Sequence, residues 1–85
     1  METNARAELL AGLDRLHTTE LGLLRIKRNL SLTEADVVDW CKRQIESPGS
    51  RISRKGKNWY IQAEGVLITV NAHSATIITA RRVNG

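Results

Sequence analysis

Two imidazoles and a surplus of cations are the side chains of this sequence that could do chemistry. His17 opens the segment LHTTELGLLRIKRN at residues 16–29, where a histidine, two threonines and several cations converge at the expected start of a helix. His73 lies in Asn71-Ala72-His73-Ser74, between two stretches that read as strands. Histidine is the side chain that ordinarily changes charge near neutrality, so a pair can act as base and acid. Metal-free RNA cleavage needs that pair: one group takes the proton of the 2′-hydroxyl and another protonates the leaving 5′-oxygen. Cations then stabilise the phosphoryl oxygens. The candidate catalytic residues are therefore His17 and His73. The candidate phosphate-binding cations are Arg25, Lys27, Lys55, Lys57, Arg81 and Arg82, with Thr18, Asn71 and Thr79 as supporting donors. Each histidine has a structural alternative, a ring held by backbone groups at a helix start or in a turn.

The segment Arg54-Lys55-Gly56-Lys57-Asn58-Trp59-Tyr60 joins cations to two aromatic rings. Lysines can track a phosphate backbone while an exposed ring stacks on an unpaired base, a contact of about 1 to 3 kcal/mol. Strand alternation puts Trp59 and Tyr60 on opposite faces, so Trp59 is the expected core residue and Tyr60 the expected base platform. No His or Cys spacing suggests a metal site. The glycine pattern of a phosphate-binding loop is missing, so neither a metal nor a cofactor is expected. The single cysteine, Cys41, excludes an internal disulfide, and its setting reads as the buried side of a helix.

Thirteen Lys plus Arg against nine Asp plus Glu give a net charge of +4, with the acids concentrated in the first half. A basic surface favours polyanions, most simply nucleic acid, through a term independent of base sequence. At 85 residues, 41% hydrophobic and 26% charged, the chain reads as one small soluble domain spanning residues 1–85. No apolar run approaches the roughly 18 residues of a membrane span, and residues 1–4 do not resemble a secretory signal. A cytoplasmic location is the expectation.

Residues able to position these groups fall into two halves, helices over about 4–46 and a sheet over about 51–83. Leu9, Leu10, Leu13 and Leu16 give a helical apolar stripe across residues 4–16. A second helix is expected from Thr18 or Thr19 to Leu30, with Thr18 as N-cap and Leu21, Leu23, Leu24 and Ile26 as its apolar side. Thr33-Glu34-Ala35-Asp36 reads as a helix-start signal for a third, burying Val37, Val38, Cys41 and Ile45. Ser47-Pro48-Gly49-Ser50 ends it. After residue 50 the period becomes two: residues 51–54, 58–63, 66–71 and 76–83 read as strands separated by turns at Gly56, Glu64-Gly65 and His73-Ser74-Ala75. The fold class expected is α+β, N-terminal helices packed on one face of a three- or four-stranded antiparallel meander. Residues 76–83 carry apolar side chains at both parities, so their inward face is undetermined.

Taken together, HTTELG at 17–22, RIKRNL at 25–30, DVVDWCK at 36–42, RKGKNWY at 54–60 and ITVNAHSATIITA at 68–80 resemble an uncharacterised bacterial family known only as a domain of unknown function. The resemblance covers about residues 16–82 and implies no activity. Helices followed by a small meander, ending in Thr-Ile-Ile-Thr-Ala-Arg, are more distantly similar to the barnase and colicin-type ribonuclease superfamily. That likeness implies metal-free RNA cleavage from a sheet face; fold alone does not carry it.

The leading expectation is a small RNA-binding, ribonuclease-like protein that cuts without metal. The alternative is a non-catalytic module binding protein or nucleic acid in a phage, mobile-element or toxin setting. A homodimer is a third reading, formed when the apolar third or fourth strand pairs with its copy at a sheet edge.

Overall fold

The computed structural model describes residues 5–33 and 35–83. Three helices, α1 (Ala5–Ala11), α2 (Glu20–Leu30) and α3 (Val37–Glu46), precede a four-stranded antiparallel sheet of β1 (Arg51–Lys55), β2 (Asn58–Ala63), β3 (Val66–Asn71) and β4 (Thr76–Arg82) in the order β1-β2-β3-β4. This is the α+β meander expected. Two of its turns follow from glycine. Gly56 (φ +61) is the first of two residues linking the paired Lys55 and Asn58, and Glu64 and Gly65 both take positive φ between Ala63 and Val66. Two-residue hairpin loops need such angles, because they match the twist of the strands.

All three helices lie on one side of the sheet. Leu9 and Leu13, Ile26 and Leu30, and Val37, Cys41 and Ile45 bury against Trp59, Ile61, Val66, Ile68, Val70, Ile77 and Ala80. Trp59 is therefore core. Burial pushes the Cys41 thiol up to about 12, so it stays protonated and inert. Strand β4 carries apolar residues at both parities because a register shift falls opposite Thr69/Val70: Thr79 pairs with Thr69 and Ile77 with Val70, leaving Ile78 as the extra residue. Ile77 and Ala80 can then both face the core while Ile78 is 38% exposed.

Several expectations need correction. The first helix stops at Ala11, and a 3₁₀ turn over Leu13–Arg15 replaces its last turn after Gly12. Thr19, rather than Thr18, is the N-cap of α2, its Oγ1 accepting from the Gly22 amide at 3.0 Å. Asp36, rather than Thr33, caps α3 by accepting from the Asp39 amide at 2.9 Å. The inward side of α2 is Gly22, Ile26 and Leu30, whereas Leu21 and Leu24 are 73% and 62% exposed. Glycine explains that rotation: a Cβ on Gly22 would fall against the hydroxyls of Thr18 and Thr19 and the Ile77 carbonyl, so this is the side on which α2 can come close to β4.

The sheet edges differ. β3 is interior, so it offers no edge to a second copy. Along the free edge of β4, the His17 backbone amide donates to the Ala75 carbonyl (3.1 Å), the Ile77 backbone amide to the His17 carbonyl (2.7 Å), the Thr18 hydroxyl to the Ile77 carbonyl (2.9 Å) and the Asn29 side-chain amide to the Ala80 carbonyl (3.2 Å). These contacts blunt that edge. The strand at the other edge is β1.

Candidate nucleic-acid interface

The face of the sheet away from the helices is open, and strand register arranges it in three rows. Arg51, Gln62, Leu67 and Arg81 form one; Ser53, Tyr60, Thr69 and Thr79 the middle; Lys55, Asn58, Asn71 and Thr76 the third. None of these twelve residues is acidic. The charge is polarised between layers: residues 51–83 carry six cations (Arg51, Arg54, Lys55, Lys57, Arg81 and Arg82) and Glu64 as their one acid. Tyr60 sits near the centre, half-buried, beside a groove of about 290 Å³ lined by Arg51, Ile52, Ser53, Gln62 and Leu67. Its hydroxyl accepts a long hydrogen bond from the Asn58 amide, 3.4 Å.

His17 extends the third row by one position. It forms a parallel bridge with Thr76, which brings its ring onto the side of the Thr76 hydroxyl. The Nδ1 atom lies 2.9 Å from the Arg15 carbonyl and Nε2 lies 3.2 Å from the Thr76 hydroxyl. A carbonyl only accepts, so Nδ1 carries the proton and Nε2 of the neutral ring accepts from Thr76. Ser74 Oγ stands 2.6 Å from Thr76 Oγ1 and 3.1 Å from Asn71 Oδ1. The outcome is a chain of polar groups, Asn71, Ser74, Thr76 and His17, across one end of the sheet.

His73 belongs to the same end. Asn71 Oδ1 accepts from the His73 and Ser74 amides, both at 3.0 Å, and so holds the β3–β4 turn that carries the ring. The Ala72 amide donates to the Lys57 carbonyl at 2.8 Å, tying that turn to the tip of the first hairpin. Thus His17, the His73 turn, Lys55, Lys57, Asn71 and Thr76 are brought to one end. Arg81 is not: it pairs with Leu67, four residues along β3 from Asn71, about 13 Å away at the usual strand rise.

The other expected cations scatter. Arg82 pairs with Val66, on the core parity, and its guanidinium donates to the Leu30 carbonyl at the end of α2 (3.1 Å). Arg25 and Lys27 are on α2, in the helical layer. Thr18 is committed to the Ile77 carbonyl, while Thr79 lies in the middle row beside Thr69. Arg54 faces the core side, its guanidinium 5.6 Å from the centre of the Trp59 ring. Sequence reasoning missed Arg51, Asn58 and Thr76. The first two follow from alternation once the strand pairing is known; the Thr76 contact needs the bridge to His17, for which the local sequence holds no signal.

Among the described residues no group of three or more His, Cys, Asp or Glu could hold a metal ion, and no helix is long and apolar enough to cross a membrane. A larger hollow of about 440 Å³ between the first turns of α2 and α3 is lined by Glu20 and Asp36 but by no cation or histidine. It is unsuited to a polyanion.

Fold and surface together define a two-layer α+β protein with an uncovered basic sheet face. Residues 10–81 match the family described as protein of unknown function (DUF3781), and the chain belongs to it. No curated protein and no solved structure gives a match, so the comparisons lend no support to the likeness to barnase and colicin-type ribonucleases.

Proposed function

We propose that this protein binds single-stranded RNA across the open face of its sheet. The observation that carries the reading is a face free of acids, with Tyr60 at its centre and cations at both ends: Arg51 and Arg81 at one, Lys55 at the other. In this arrangement the backbone follows the cations and one base stacks on the Tyr60 ring, while Asn58, Thr69 and Thr79 offer hydrogen bonds to base edges or the 2′-hydroxyl. A fluorescence-anisotropy titration of a labelled single-stranded RNA tests it. Binding that weakens with salt, and falls further in Tyr60→Ala, supports the reading; binding unaffected by Tyr60→Ala and Arg51→Ala refutes it.

Cleavage of the bound strand, with His17 as base and His73 as acid, is the enzymatic form of the same reading. It is favoured by the backbone bridge that sets His17 beside the turn carrying His73, and by the Arg15 carbonyl, which accepts from the Nδ1 proton and leaves Nε2 as the acceptor, held by the Thr76 hydroxyl until the 2′-hydroxyl displaces it. The step moves the 2′-hydroxyl proton to Nε2 as the 2′-oxygen attacks phosphorus, and the departing 5′-oxygen takes a proton from the second imidazole. RNA that is bound but stays intact removes the enzymatic form and leaves the non-catalytic one. RNA cleaved equally by His17→Ala removes the assignment of the base.

A further inference from the structure

We propose that the exposed ridge of α2 is a self-association surface, on which two copies of the chain pair their α2 helices antiparallel about Leu24. Glu20, Leu24 and Arg28 recur every four residues and so form one ridge, on the side of α2 away from Gly22, Ile26 and Leu30. Leu21 and Leu24, 73% and 62% exposed, give this helix a second apolar side, although its first already packs on β4. An RNA-binding role does not account for them: both leucines are in the helical layer, away from the open sheet face.

The charges of the ridge identify the occupant. Glu20 and Arg28 are eight residues apart, about 12 Å along the axis, too far to pair within one helix. Neither has an ion-pair partner among the described residues. A two-fold axis at Leu24 reverses the order of the ridge in the second copy. Leu24 then meets Leu24, and each Glu20 meets the Arg28 of the other chain, so one pattern satisfies both ends twice. A partner that was merely acidic would complement Arg28, and Arg25 and Lys27 beside the ridge, but would oppose Glu20, which only the Arg28 of a second copy satisfies in the same symmetric contact. A C2 contact of this kind is the commonest form of self-association. A seam limited to one three-turn helix is small against a standard interface, so the dimer is a weak one.

The test uses reversed charges and sedimentation equilibrium. The wild-type chain associates to a dimer. Glu20→Arg and Arg28→Glu, each alone, faces like charges twice and weakens self-association at least about tenfold. An equimolar mixture of these two variants restores a 1:1 dimer, since the two ridge arginines of the first variant then meet the two ridge glutamates of the second. Circular dichroism of each variant checks that the fold is retained. Independently, Leu24→Cys forms a symmetric disulfide under mild oxidation, with the buried Cys41 as a silent background. A wild-type chain that is monomeric to about 1 mM overturns the proposal, as does a mixture no more associated than its components, association only when RNA is added, or failure of Leu24→Cys to cross-link.

Discussion

Replacing Gly22 by alanine should destabilise this protein, although the same change inside an ordinary helix stabilises it. Alanine gains about 0.8 to 1 kcal/mol of helix propensity over glycine. Against that, the new methyl group would fall on Thr18 Oγ1 and come within 3.2 Å of Thr19 Oγ1 and 3.5 Å of the Ile77 carbonyl. To make room, the Thr18 hydroxyl must leave the Ile77 carbonyl, a hydrogen bond worth about 0.5 to 1.5 kcal/mol, or α2 must move off β4, an overpacking cost of about 1 to 3 kcal/mol. Disturbing the Thr19 cap adds up to about 1 kcal/mol. The balance is a net loss of up to about 1.5 kcal/mol by the hydrogen-bond route and up to about 3 kcal/mol by the overpacking route, at roughly 4 to 8 °C in Tm per kcal/mol for a domain of this size. Thermal and urea unfolding measure it. In a Thr18→Ala background the main obstacle is gone, so Gly22→Ala should cost at least about 1 kcal/mol less, a coupling expected of residues in contact. A Gly22→Ala protein at or above wild-type stability, or a cycle that closes additively, would refute the close approach inferred between α2 and β4.

Further outcomes follow from other contacts. Arg6 donates to Ser50 Oγ (2.8 Å), the Ser50 carbonyl (3.1 Å) and the Ser47 carbonyl (3.1 Å), tying α1 to the end of α3; Arg6→Ala should cost about 1.5 to 3 kcal/mol in urea unfolding. Arg6→Lys, lacking the planar fork, should recover little of it. Burial raises the Cys41 thiol from 9.0 to about 12, so above pH 9 the unfolded chain loses a proton that the folded chain keeps. Stability attributable to this group therefore falls as pH rises from 9 towards 12, by up to about 1.4 kcal/mol per unit. Cys41→Ala should show a shallower decline over that window, and Ellman's reagent at neutral pH should react with Cys41 only after denaturant is added. Asn71→Ala releases the amides of His73 and Ser74 and the Ser74 hydroxyl, and should raise hydrogen exchange in the β3–β4 turn without unfolding the sheet.

Period and punctuation made the sheet legible. Alternation located residues 58–63 and 66–71, and the two hairpin turns could be placed from Gly56 and Glu64-Gly65. Trp59 could be assigned to the core, because its neighbours at the same parity are Ile61 and Ala63. The inward face of β4 was illegible, since a bulge changes parity within the strand and depends on pairing with β3. The rotation of α2 was misread for a related reason. Four apolar residues suggested a stripe through Leu21 and Leu24, whereas the side without a Cβ at Gly22 decided which way the helix could approach. HTTELG thus looked like chemistry and is largely docking: Thr18 bonds β4, Thr19 caps α2, Gly22 permits the contact and His17 bridges Thr76. Of the proposed site, Arg51 was missed, whereas Lys55, Arg81 and Tyr60 could be named from sequence. Their division between the two faces and two ends of the sheet could not, because it rests on long-range register.

The most direct measurement is the salt dependence of RNA affinity in wild type and in a chain with Arg51→Ala and Tyr60→Ala together. With Arg51, Lys55 and Arg81 on phosphates, log K should fall against log salt with a slope of about −2, as expected for roughly three contacts on a single strand. The double variant should bind at least about tenfold more weakly, with a slope shallower by about 0.7, since one phosphate contact and one stacked base are lost. Equal affinity and equal slope in the two proteins would place RNA elsewhere and contradict the role assigned to the open face.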